Sequence, residues 1–274
     1  MAFNVASIEK KWSEGIIYFI SILAIIFAFR QESTSDRTLQ NVRDIAGSMS
    51  TSFVGIFPDT LEEITDLVDG SRDSLKILVD YVGYGHYSTP ETHSKYMSAL
   101  ESAKRRGVNI DILIYDVQTA LDQTFQFQWN TEGLESELRS ERFVNYFNVH
   151  PGLPKPESPE EFLRFVCGRE AIFQRNLLTL GVCITQIRNH SPLFMWVRDS
   201  KEAIFAFSVS TQEDKYKELT FRTRDAWLIS TFISMLQRTK NDAGAVMMLS
   251  DADKFSRDVD DMVAGMLAER LMSD

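Results

Sequence analysis

Residues 75–116 read LKILVDYVGYGHYSTPETHSKYMSALESAKRRGVNIDILIYD, and the fold turns on this stretch. LKILVDY is short and mostly apolar, the pattern of a strand buried on both faces. A glycine-punctuated loop, GYGHYSTP, follows it. From Thr92 to Arg106, Tyr96, Leu100 and Ala103 recur at helical spacing. Lys104, Arg105 and Arg106 crowd the last turn, where the helix dipole favours cations, and Gly107 supplies the stop. VNIDILIY is then a second strand. A strand–helix–strand unit of this length implies a right-handed crossover and two parallel strands, hence an α/β domain.

Outward from this unit the same signals continue. Toward the N-terminus, Leu61, Ile64, Leu67 and Val68 share one face of a helix expected over 59–69, with Pro58 before it and Gly70 after it. Toward the C-terminus a helix is expected at about 132–145. HPGLPKPESP then holds four of the chain's seven prolines and must be a loop. Ser158-Pro159-Glu160-Glu161 is a capping box with proline at the first helical position, opening a helix to about Thr179. A strand is expected at 181–187, and a hairpin at 193–198 and 203–208 around the turn DSKE. Thr223 can cap a closing helix over 224–239. A last amphipathic helix carries Phe255, Val259, Met262, Val263 and Met266 on one stripe.

A different physics governs the start of the chain. GIIYFISILAIIFAF at 15–29 runs fifteen residues without a charge. Counted from Trp12 such a helix spans about 27 Å, against about 30 Å of bilayer core. Lys10, Lys11 and Arg30 can snorkel, and Trp12 and Tyr18 suit an interface. The run ends in Phe27-Ala28-Phe29-Arg30 rather than in the small residues of a cleavage site. An uncleaved single-pass membrane anchor is therefore expected. The resulting division is 1–30 anchor, 31–58 juxtamembrane connector, 59–240 α/β domain and 241–274 C-terminal amphipathic helix.

Composition limits the function. The 274 residues are 44% hydrophobic and 25% charged, and carry a formal charge of −10. That balance argues against broad nucleic-acid binding, which needs clustered Lys and Arg to neutralise phosphates. The two cysteines, Cys167 and Cys183, lie in apolar stretches and form no metal-spaced set, so neither metal nor cofactor is expected. Free thiols, with a slight excess of basic residues after the apolar run, lean toward a cytoplasmic domain.

The order of elements over residues 64–240, with two local sequences, resembles one half of a phospholipase D superfamily (HKD) domain. The first sequence is the 75–116 unit, similar to that family's opening strand–helix–strand. The second is NHSPLFMWVRDSKEAIFAFS followed by ELTFRTRDAWLISTF, which resembles its catalytic hairpin, "GS.N" strand end and closing helix. The resemblance implies a mixed sheet flanked by helices. The family motif is His-x-Lys-x4-Asp, in which the His attacks phosphorus and the Lys binds phosphate oxygens. With Asp199 at the Asp position, the His and Lys positions fall on Pro192 and Phe194; with His190 at the His position, Pro192 replaces the Lys and Val197 the Asp. The "GS.N" segment reads Phe207-Ser208-Val209-Ser210. Neither register holds a nucleophile together with a charge clamp.

Two groups of side chains remain as candidates. Tyr84, His86, Tyr87 and Ser88 follow the first strand, with Asp116 at the end of the second, at the edge where open α/β sheets bind ligands. The alternative is that the tyrosines cover the sheet edge and the glycines only turn the chain. Arg222 and Arg224 are expected at the same edge as the hairpin, as ligand contacts or as salt-bridged surface residues. If catalysis survives, its residues are His190, Asp199 and His86; otherwise His190 and Asp199 are a loop histidine and a turn aspartate. The expected function is a membrane-anchored sensor or adaptor with a catalytically degenerate domain. Its expected partners are membrane lipid, a second copy of the chain, and possible docking of a protein through 255–267. The alternative is an active membrane-bound phosphodiesterase or nuclease with a rearranged site.

Overall fold

In the computed structural model the 75–116 unit takes the form its spacing predicts, and the rest of the domain is built around it. The structure describes residues 51–251 apart from 84, 87–89, 117–118, 120–137, 189–190, 192, 211–215 and 243. The apolar run at 15–29 and the stripe at 255–267 lie outside the described residues. Within them, no helix is long and apolar enough to cross a membrane.

The described elements run β1 (Thr51–Ile56), α1 (Leu61–Asp69), β2 (Ser74–Val79), α2 (Pro90–Arg105), β3 (Asn109–Tyr115), α3 (Glu141–Val149), α4 (Pro159–Thr179), β4 (Cys183–Ile187), β5 (Leu193–Arg198), β6 (Glu202–Ser210), β7 (Tyr216–Thr223), α5 (Ala226–Asn241) and β8 (Ala245–Val246). The strands form one mixed sheet in the order β1-β7-β6-β5-β2-β3-β4-β8. β2, β3 and β4 are parallel neighbours, and every other pairing is antiparallel. Central strands buried on both faces explain the near-continuous apolar runs: Leu75, Ile77, Leu78 and Val79 of β2 and Ile110, Ile112, Leu113 and Ile114 of β3 are all in the core.

Caps follow local chemistry. The Ser158 hydroxyl accepts the Glu161 N–H at 3.2 Å, and the Glu161 carboxylate accepts the Glu157 N–H at 2.8 Å, one residue earlier than a closed capping box would have it. Ser140 caps α3 through the Phe143 N–H, and that helix runs to Val149, beyond the expected end at 145. The basic end of α2 is used locally: Arg105 pairs with Glu101, and Arg106 binds the Asp69 carbonyl and carboxylate.

Three expectations are corrected. The connector does not extend to 58, because β1 lies within it and pairs with β7 in the domain's own sheet. FVGI carried too little periodicity to mark an edge strand. ELTFRT is strand β7 rather than the approach to a helix capped by Thr223. Asp225 caps α5, accepting the Leu228 N–H at 2.8 Å, while the Thr223 hydroxyl bonds Thr51 and the Asp225 N–H. The segment after 241 is not helix throughout, since β8 pairs with β4 at Thr185 and Gln186.

Candidate functional site

The register of β2 against β5 separates the two ends of the sheet. Leu75 pairs with Arg198 and Leu78 with Met195, so β5 begins at the carboxyl end of β2 and finishes at its amino end. Five residues of strand are about 16 Å. The sequence candidates therefore fall at opposite edges.

At the amino edge, Asp199 lies in the β5–β6 turn with φ of 50°, a left-handed conformation that aspartate tolerates better than most side chains. Its carboxylate accepts the N–H groups of Asp73 (2.8 Å), Ser74 (2.9 Å) and Arg72 (3.2 Å). Partial burial works against its ionisation, but those donors and Arg198 outweigh it and hold the carboxyl below the usual range. Asp199 thus ties the hairpin to the start of β2, and Ser191, the described residue beside His190, sits at the far end of β5. His190 itself lies outside the described residues.

Arg222 and Arg224 lie at this amino edge too, beside the β5–β6 turn of the hairpin and away from His86 and Asp116. Arg222 lies opposite Ile204 and Ser52 on adjacent strands. Both arginines converge on Glu202, whose residue is only 2% exposed. Arg224 Nε is 3.0 Å and Arg222 Nε 3.4 Å from its Oε1, Arg198 binds its Oε2, and Arg222 also reaches Glu63 at 2.9 Å. One buried carboxylate organises three guanidinium groups, and this set is structural.

The carboxyl edge has a different character. The Tyr115 hydroxyl donates to the Ser191 carbonyl and accepts the Ser191 N–H, pinning the entry to β5 against the end of β3. Asp116 caps the following turn through the Thr119 N–H (2.9 Å) and pairs with Arg188 (3.5 Å) rather than with His86. Tyr84, Tyr87 and Ser88 lie outside the described residues.

His86 is described, and it is buried in a cluster that the sequence reading missed. Its ring centroid is 6.0 Å from His93 of α2, 5.8 Å from Phe173 and 6.2 Å from Phe165 of α4, and 6.3 Å from Tyr146 of α3. His86 Nδ1 lies 3.1 Å from the Gly83 carbonyl oxygen. Arg169 lies over Phe173 at 5.1 Å. Below them Glu170 is fully enclosed, and its two oxygens accept the Val82 and Gly83 N–H groups at 2.7 Å each and the Gln174 amide at 2.8 Å. Gly83 is required here because an added Cβ would lie 2.5 Å from the Phe173 ring.

Burial dominates the protonation of this cluster. His86 is pushed down to about 3 by desolvation, by His93 and by the Arg169 charge, against the support of the Gly83 carbonyl. His93 is pushed down to about 4 by desolvation and by Arg169. Burial pushes the Glu170 carboxyl up, while Gln174, Gly83 and Val82 act to hold it down. Both imidazoles are therefore neutral at pH 7 beside one guanidinium. Among the described residues no three His, Cys, Asp or Glu side chains converge as a metal site. A signal for the cluster was present: His93 falls on the face of Tyr96, Met97 and Leu100, and Glu170 and Gln174 interrupt the apolar face of α4.

No family model and no curated protein sequence matches the chain. Solved structures similar to it include the phospholipase D family member Nuc from Salmonella typhimurium, 13% identical over 72% of this chain and 98% of that one, with a TM-score of 0.39. Phosphatidylserine synthase from Haemophilus influenzae Rd KW20 is 14% identical over 81% of this chain, with a TM-score of 0.39, and the match spans 46% of the synthase. TrmBL2, an archaeal chromatin protein, is 10% identical over 85% of this chain and 66% of its own, with a TM-score of 0.37.

Proposed function

We propose that the chain is a membrane-tethered sensor or adaptor whose phospholipase D-like domain has lost catalysis. It binds a small ligand or a protein partner at the carboxyl edge and works as an oligomer. The observation that carries this reading is the fate of the lysine position. In the register that keeps Asp199 as the motif's aspartate, that position is Phe194, 1% exposed in the core beside the end of β2. A phenyl ring packed there neither clamps a phosphate oxygen nor moves a proton, and covalent phosphoryl transfer needs both functions. Asp199 has its oxygens committed to backbone donors, and His86 is enclosed and neutral. The catalytic alternative would then rest on His190 without a partner drawn from its own candidate set.

The test is hydrolysis. Purified full-length protein, offered phosphodiester lipids and single- and double-stranded nucleic acid, is expected to show no turnover above a His190→Ala control. Robust turnover that disappears in that variant overturns the proposal and establishes the phosphodiesterase alternative.

A further inference from the structure

The cluster around Phe173 contains more hydrogen-bonding capacity than its neighbours use. His93 is 5% exposed, and its Nε2 takes no hydrogen bond among the described residues; the same holds for the buried Nε of Arg169. A buried polar group left without a partner costs about 1–3 kcal/mol. Both groups border one phenyl ring: the His93 centroid is 4.8 Å, and the Arg169 guanidinium carbon 5.1 Å, from the centre of Phe173. Around them stand the apolar surfaces of Phe165 and Tyr146 and the edge of His86. Two unused polar atoms beside aromatic walls define a site for a molecule with a polar head and an apolar body.

We propose that this cluster binds the carboxylate of a small apolar acid, with His93 Nε2 and Arg169 Nε as its donors and Phe173, Phe165 and Tyr146 packing its body. The proposal deepens the ligand-binding reading given above and rests on it. Charge selects the head group. The nearby carboxylate of Glu170 is already bonded by Val82, Gly83 and Gln174, so among the described residues of the cluster Arg169 supplies the positive charge. One guanidinium balances one negative charge, whereas a doubly charged phosphate would bury an uncompensated one. Two donors likewise match two carboxylate oxygens. A cation is disfavoured, because the Arg169 charge faces both imidazoles.

Proton linkage follows. A carboxylate against His93 favours the imidazolium, so its pKa rises on binding and a proton is taken up. The other ionisable groups facing the pair are His86, held neutral by burial down to about 3, Tyr96 and Tyr146, raised by burial, and Glu170, whose raised carboxyl can only lose negative charge as pH falls and so acts in the same direction. Affinity should therefore increase as pH falls.

The experiment titrates benzoate and, separately, inorganic phosphate into the full-length protein in detergent, by calorimetry at pH 5.5 and 7.5. Arg169→Met and His93→Phe are compared with the wild type. Saturable benzoate binding is expected, several-fold tighter at pH 5.5 and weakened at least tenfold in each variant. Because loss of folding in either variant would also weaken binding, histidine-selective NMR of the wild type gives a second readout: benzoate should shift the imidazole resonances of His86 and His93. No saturable benzoate binding, or binding that leaves those resonances unmoved, overturns the proposal. Phosphate binding in place of benzoate overturns the carboxylate assignment and leaves the ligand-binding reading standing. Turnover in the hydrolysis assay overturns that broader reading independently.

Discussion

Glu170, His86 and His93 show how single side chains set the behaviour of the carboxyl edge. Glu170 presents its oxygens to the chain reversal at Val82 and Gly83, and so forms the floor on which His86 stands. Both histidines are buried neutral, with pKa values of about 3 and about 4 against an ordinary 6.5. A depressed folded-state pKa contributes stability that is present above the unfolded value and is lost as pH falls toward the folded one. Each histidine therefore withdraws about 1.4 kcal/mol per pH unit below 6.5. Glu170, whose pKa is raised, takes up its proton in the opposite sense and offsets part of this loss. The two histidines together withdraw about 3 kcal/mol between pH 7.5 and 5.5, Glu170 reduces that loss, and the melting temperature is expected to fall. Thermal melts at the two pH values check it, and the His86→Gln/His93→Gln double variant should flatten the dependence. A pH dependence that the double variant leaves unchanged would show that the histidines are not buried neutral.

At the scale of elements, periodicity decided what was legible. β2, α2, β3, α4, β5 and β6 announce themselves through apolar runs, caps and a capped turn, and the structure places each close to where the spacing puts it. β1 and β7 do not. TSFVGI has the mixed burial of an edge strand, and YKELTFRT sets its buried apolar residues, Leu219 and Phe221, among polar ones, so neither shows the continuous apolar signal of the central strands. Their partners make them strands: β7 is held between β6 and β1. The candidate site was half legible for a related reason. Loop position brought out His86, but the contacts that enclose it come from α3 and α4, at a sequence separation no motif encodes. The arginines at 222 and 224 do lie beside the hairpin turn, but their convergence on Glu202 was not legible because β7 was not seen as a strand. β1 also sets a boundary that can be tested. Deleting residues 1–30 should leave a folded domain, whereas deleting 1–58 strips β1 from β7 and leaves that edge open to other chains. The shorter protein is expected to melt lower and to sediment as aggregate. Equal melting temperatures for the two truncations would mean that β1 contributes nothing to the sheet's integrity.

For the whole molecule, the proposed anchor and the proposed pairing act together. In the reading proposed above, the domain resembles one HKD half, and in two-half enzymes a second half covers a face of the first. An isologous two-fold contact is the commonest way to bury a shared face. Val246, Met248 and Leu249 add exposed apolar surface at the end of the described chain, and the stripe of Phe255, Val259, Met262, Val263 and Met266 continues it in sequence. Where such residues form a contiguous patch, the patch marks an interaction site. A helical anchor at 15–29 would confine copies to the plane of a membrane and raise their effective concentration, so that weak contacts suffice. The expected result is a dimer or a higher even-numbered assembly, for the full chain in detergent and for residues 31–274 at tens of micromolar, measured by light scattering. Extraction of the full chain should need detergent, and release by carbonate alone would remove the anchor from the argument. A strict monomer in both preparations would sink the pairing. Truncation after Asp251 keeps β8 in the sheet while removing the stripe. Loss of assembly in that protein would place the contact on the tail, and its persistence would place it on the domain.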